Sequence, residues 1–136
     1  KSYEVRVSAE VTERLALEIM EEAAGRYDRA EEPVTQLQLE EIMPVPPVLT
    51  RDVTDKLLRR SILMVAGESG DALVPARSLD KISLLDVIRA IRCDEDGYMD
   101  RLKSINRLQA FDISVDQEIE NQFKDLSLQQ LIRQQL

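Results

Sequence analysis

Residues 33–76 read PVTQLQLEEIMPVPPVLTRDVTDKLLRRSILMVAGESGDALVPA. This stretch decides the fold because it marks its own breaks. Thr35 stands where a helix N-cap belongs, with Gln38 three residues on to close a capping box. Val34 and Leu39 flank it at the spacing of a hydrophobic staple. Leu37, Ile42 and Met43 read as the apolar side of this short helix. Pro44, Pro46 and Pro47 then forbid continuation, since each lacks an amide proton and restricts the residue before it. Pro47 suits the first position of a second helix, about Pro47 to Arg60, in which Val48, Val53, Leu57 and Leu58 recur at helical spacing. Ile62 to Val65 is a short apolar run that suits a strand. Gly67, Ser69 and Gly70 supply a turn, and Ala72, Leu73 and Val74 a returning strand. Short helix, tight turn, longer helix and two-stranded hairpin is the order of a winged helix-turn-helix.

Working outward, Ser2 to Val7 alternates as a short strand does, with Tyr3, Val5 and Val7 on one side. Ser8 is placed to cap a long helix over Ala9 to Asp28, whose apolar stripe is Val11, Leu15, Ile19, Ala23 and Tyr27, with Ala16, Met20 and Ala24 beside it. Its other face carries Glu10, Glu13, Glu18, Glu21 and Glu22, which we read as a solvated face rather than a cation site. Beyond the hairpin, Ser83 and Asp86 make a second capping box, stapled by Ile82 and Val87, for a helix over Leu84 to Arg92. Three more helices are expected in a tail. The first carries Tyr98, Leu102, Ile105 and Leu108. The second is capped by Ser114 with Gln117 and carries Val115, Ile119 and Phe123. The third is capped by Ser127 with Gln130 and stapled by Leu126 and Leu131. The fold class is α+β and mainly α: a winged-helix domain over 1–96, and a helical tail over 97–136 that packs on it or on a partner.

Composition removes several functions. Hydrophobic content of 43% with 32% charged residues is that of a globular chain, and no apolar run approaches the roughly 20 residues a membrane helix needs. There is no histidine, which takes away the usual metal ligand, the usual general base and every Ser-His or Cys-His mechanism. The single cysteine, Cys93, allows no internal disulfide, and its acidic neighbours keep the thiol protonated, as suits a buried or half-buried structural cysteine. The run CDEDG over 93–97 resembles a calcium loop only superficially. With Gly97 in the glycine position, the first and last ligands would be Arg92 and Lys103. The other acids are scattered at solvent-face spacing. No catalytic residue, metal site or cofactor is expected.

Charge is uneven. Of the net −8, residues 1–45 hold −6, residues 46–93 hold +2 and residues 94–136 hold −4. A phosphate footprint therefore has one place to sit, the helix over Pro47 to Arg60, with Thr50, Arg51, Thr54, Lys56, Arg59 and Arg60 as candidate nucleic-acid contacts and Asp55 among them. The wing turn (Gly67, Glu68, Ser69, Gly70, Asp71) has no basic residue, and Glu40 and Glu41 would face the backbone. Arg59 and Arg60 also suit a helix C-terminus on dipole grounds alone. Stacking platforms for RNA are lacking, since the aromatics are far apart and mostly at core spacing.

The combination of Val34, Thr35 and Leu39, the Val45, Pro46, Pro47 turn, Val53 and Leu57, Ile62 and Leu63, Gly70, Ala76 and Arg77, and the run Ile82 to Ile91 resembles one class of winged helix. That class includes bacterial regulators that sense iron–sulfur clusters or cysteine metabolism. It is also similar to the C-terminal cytoplasmic domain of the YihY/BrkB family of inner-membrane proteins, once labelled ribonuclease BN. The closing run Asp125 to Ile132 is similar to the ending of both. Cluster-binding regulators carry three cysteines after the wing helix, whereas this chain has Cys93 alone, so no iron–sulfur cluster is expected. The acidic first helix and a start at Lys1 rather than Met fit a domain from behind a membrane portion. The resemblance thus implies a non-catalytic interaction domain on the cytoplasmic side of a bacterial inner membrane. It would be joined to the membrane through an N-terminal region outside this chain, with a protein or a second copy as partner. The other reading is a cytoplasmic DNA-binding regulator with Pro47–Arg60 as its recognition helix.

Overall fold

The computed structural model describes residues 7–93 and 95–136, and only the backbone of 112–114. The strand expected over Ser2 to Val7 falls almost wholly outside these. The chain opens with α1 (Ala9–Asp28), capped by Ser8, whose hydroxyl accepts from the Val11 amide. β1 (Val34–Thr35) leads directly into α2 (Gln36–Ile42). There the capping box is complete: the Gln38 amide donates to Thr35 Oγ1 and the Thr35 amide to Gln38 Oε1. The proline turn ends in α3 (Pro47–Arg59), which has Pro47 in its first turn. β2 (Leu63–Ala66) and β3 (Ala72–Pro75) form the wing, turned by Gly67 and Gly70 at φ 85° and 69°, where a side chain would be strained.

The sheet order is β1-β3-β2, antiparallel throughout, with Val34 opposite Leu73 and Leu63 opposite Pro75. Two residues of pairing at β1 are invisible to a period-two pattern, yet they fasten the start of α2 to the wing, and the Gln36 amide also donates to the Asp71 carbonyl. A single turn of 3₁₀ helix, Leu79–Lys81, leads to α4 (Leu84–Ile91), followed by α5 (Tyr98–Lys103), α6 (Gln109–Phe123) and α7 (Leu128–Ile132).

One core joins Ile19, Met20 and Ala23 of α1 to Leu39, Val53, Leu57, Leu63, Val87 and Leu128, all nearly without solvent contact. Two of the three staple pairs, Val34 with Leu39 and Ile82 with Val87, are fully buried, and the third, Leu126 with Leu131, is half-buried. Several expectations fail. Val11 and Tyr27, at the two ends of the α1 stripe, are 40% and 59% exposed. Leu37 and Ile42 are exposed, because seven residues of helix present one narrow apolar edge and Leu39 and Met43 fill it. The helix expected to start at Ser114 starts five residues earlier, at Gln109, so Ser114 lies within α6 and not at its N-cap position.

Candidate nucleic-acid interface

α2 and α3 meet across the turn as a helix-turn-helix, and the proline run sets which face of α3 points outward. Leu49, Val53 and Leu57 turn in, and Thr50 and Thr54 turn in with them. Both threonines are completely buried, so neither reaches a nucleic acid; this corrects the sequence-based expectation. The reason is positional. Each lies three residues before a core residue, Thr50 before Val53 and Thr54 before Leu57, and so shares its face. Thr54 Oγ1 donates to the Thr50 carbonyl at 2.8 Å, while Thr50 Oγ1 has no partner among the described residues.

The outward stripe is Val48, Arg51, Asp52, Asp55 and Arg59, with Lys56 half-buried at its side and Arg60 exposed just past the helix. Three of the six expected contacts, Arg51, Lys56 and Arg59, therefore sit on or beside one face. Each of these cations inside α3 has a carboxylate partner. Arg51 Nη2 lies 3.0 Å from Glu40 Oε1 and Arg51 Nε 3.3 Å from Oε2. Lys56 pairs with Asp52 at 3.7 Å, and Arg59 with Glu95 at 3.4 Å. Arg60 donates to the thiol of half-buried Cys93. Arg51, followed by the Gln36 amide, holds the Glu40 carboxyl below its ordinary range, and Glu40 in turn holds the proton on Arg51 more firmly.

The wing adds no positive charge. Ser69 donates to Asp71 at 2.6 Å across its turn, and Glu68 is exposed beside it. Two residues at this site escape a reading of the sequence. Val48 reads as core by its spacing, but it is the second residue of α3, beside buried Leu49, and is 51% exposed. Glu40 reads as an obstacle to phosphate, but it is Arg51's partner. A pairing between residues eleven positions apart on two helices leaves no local signal.

No protein-family model and no curated protein matches this chain. Solved structures do resemble it over nearly its full length. CymR (YrzC), the global cysteine regulator of B. subtilis, superposes with a TM-score of 0.62 at 15% identity, covering 96% of this chain and 98% of that one. The oxidized form of Staphylococcus aureus CymR gives 0.64 at 12% identity over 94% and 96%. T. potens IscR gives 0.68 at 14% over 97% and 89%. At these identities the likeness is one of fold: a winged helix-turn-helix with the tail helices included.

Proposed function

We propose that this chain is a DNA-binding transcription regulator that acts as a dimer, with α3 as its reading helix. The observation that carries this is the outward stripe of α3, which stands clear of the core at the position where a helix-turn-helix enters the major groove. Whole-length likeness to a solved cysteine regulator supports it. The surface ion pairs of Lys56 and Arg59 do not oppose it, because such pairs are weak and phosphates with released counterions compete for the same cations.

A second copy is the partner that the tail fits best. α5 and the following loop form a groove of about 480 Å³ lined by Met99, Leu102, Lys103, Ile105, Arg107 and Leu108. α6 offers an apolar edge to it, Phe111, 61% exposed, and Val115, while its Asp116 and Glu120 already pair with Lys103 and Arg89 of the same chain. In a two-fold pair each groove takes the other copy's helix.

The reading as an interaction domain of a YihY/BrkB inner-membrane protein has the cation-free wing in its favour. Likeness to a solved cysteine regulator over 98% of that chain favours the regulator. Fluorescence anisotropy with labelled duplex DNA separates the two readings. Micromolar or tighter binding at low salt that weakens steeply towards physiological salt is expected; no binding at low salt overturns the regulator reading.

A further inference from the structure

We infer that Glu40 is a positioning residue for Arg51, and that the pair makes α3 a reader of guanine. This rests on the DNA-binding reading above. Arg51 is exposed on the N-terminal half of α3, one turn after Val48, where a recognition helix meets base edges. Glu40 is its opposite in character: it lies on α2 with its side chain only 12% exposed. The carboxylate is held from two sides, since Oε2 accepts from Gln36 Nε2 at 3.1 Å, one turn back on its own helix, as well as from Arg51 Nε. The anion is therefore a fixed post and the guanidinium is tied to it.

Which donors are tied matters more than the loss of charge. Glu40 takes Nε and one hydrogen of Nη2. A guanidinium has five N–H donors in a rigid plane, so Nη1 and the second hydrogen of Nη2 stay together at the far end. Two parallel donors at that spacing match guanine O6 and N7 in the major groove. The same tie restrains a long side chain before DNA arrives, so less freedom is lost on binding. Asp55, one turn further along α3, adds to the field holding Arg51 in its charged form but makes no hydrogen bond to it among the described residues. A residue that merely neutralised Arg51 would be expected on the exposed rim, with no second partner fixing its carboxylate.

The two roles predict opposite results. Sites are first selected from a randomised duplex pool with the unaltered protein. Binding is then measured on the best duplex, on its single-position variants and on an unselected duplex, for the unaltered protein, Glu40→Gln and Arg51→Lys. The expected result is a guanine preference in each half-site that both substitutions reduce by roughly tenfold or more. Affinity for the unselected duplex should stay level with Arg51→Lys and rise with Glu40→Gln, which removes a negative charge. Arg51→Lys changes only an exposed side chain, so it keeps the test open if Glu40→Gln disturbs the packing of α2. A guanine preference that survives Glu40→Gln, with tighter binding to every duplex, overturns the positioning role and leaves the regulator reading intact. Absence of binding to any duplex overturns both.

Discussion

Thr50 and Thr54 show what a single buried hydroxyl does when its partner is present or missing. They sit one turn apart on the same face, equally buried, but Thr54 gives its proton to a carbonyl and Thr50 has no partner among the described residues. A buried hydroxyl without a bond carries a desolvation penalty of about 1–3 kcal/mol, whereas a satisfied one contributes about 0.5–1.5 kcal/mol. Valine matches threonine in shape, so replacement isolates the hydroxyl. Thr50→Val is expected to stabilise the fold by about 1 kcal/mol and Thr54→Val to destabilise it by a similar amount, read as shifts of the urea midpoint at unchanged slope. Equal signs for the two would mean that Thr50 finds a partner in solution. The burial of both residues was legible in the sequence, since each lies three positions before a core residue. Their polarity suggests contacts instead, but on a helix phase decides burial before residue type does. Val48 is the converse, apolar in character but half exposed.

At the scale of elements, the tail is fastened by a device the sequence half discloses. Its capping box, Ser127 with Gln130, is legible, as is the box of α4, Ser83 with Asp86. What no local pattern gives is that the two boxes lie side by side. The Leu84 amide donates to the Leu126 carbonyl at 2.7 Å and the Leu128 amide to the Ile82 carbonyl at 2.8 Å, so the starts of α4 and α7 form a short antiparallel bridge. Leu128 thereby enters the core, and α7 comes to rest along α1. At the far end of that contact Arg133 Nη2 meets Asp28 Oδ1 at 2.9 Å. The hydrogen bond from Arg133 holds the Asp28 carboxyl below its ordinary value, so the folded protein binds that proton less readily than the unfolded chain. The pair's contribution is therefore whole above the usual carboxylate range and is lost as pH falls through the lowered value. Asp28→Asn should lower the urea midpoint slightly at neutral pH, and the gap from the unaltered protein should close as pH is taken down to about 2. A gap that persists in acid would assign the effect to packing rather than to charge.

For the whole molecule, the acidic balance and the exposed tail make one problem. A chain of net −8 is repelled by DNA, and one α3 presents few cations against that field. Two copies on half-sites a helical turn apart, about 34–36 Å, would double the contacts while ordering the second as an intramolecular event. Apolar surface for such a pair is present: Leu102, Ile105, Leu108 and Phe111 are each about three-fifths exposed. The spacing of these residues was readable, but not whether they cover this chain's own core or another's, because one apolar face suits both. Leu108→Glu tests the assignment. It places a carboxylate at the groove, facing the acidic α6 of a second copy, and at an exposed position it leaves the fold of one chain alone. Light scattering should give twice the chain mass for the unaltered protein and one chain mass for the variant. Affinity for a two-half-site duplex should fall towards that for a single half-site. A variant that stays paired would move the interface off the groove. An unaltered protein that is single at micromolar concentration would mean that α5 and α6 are covered by a different protein.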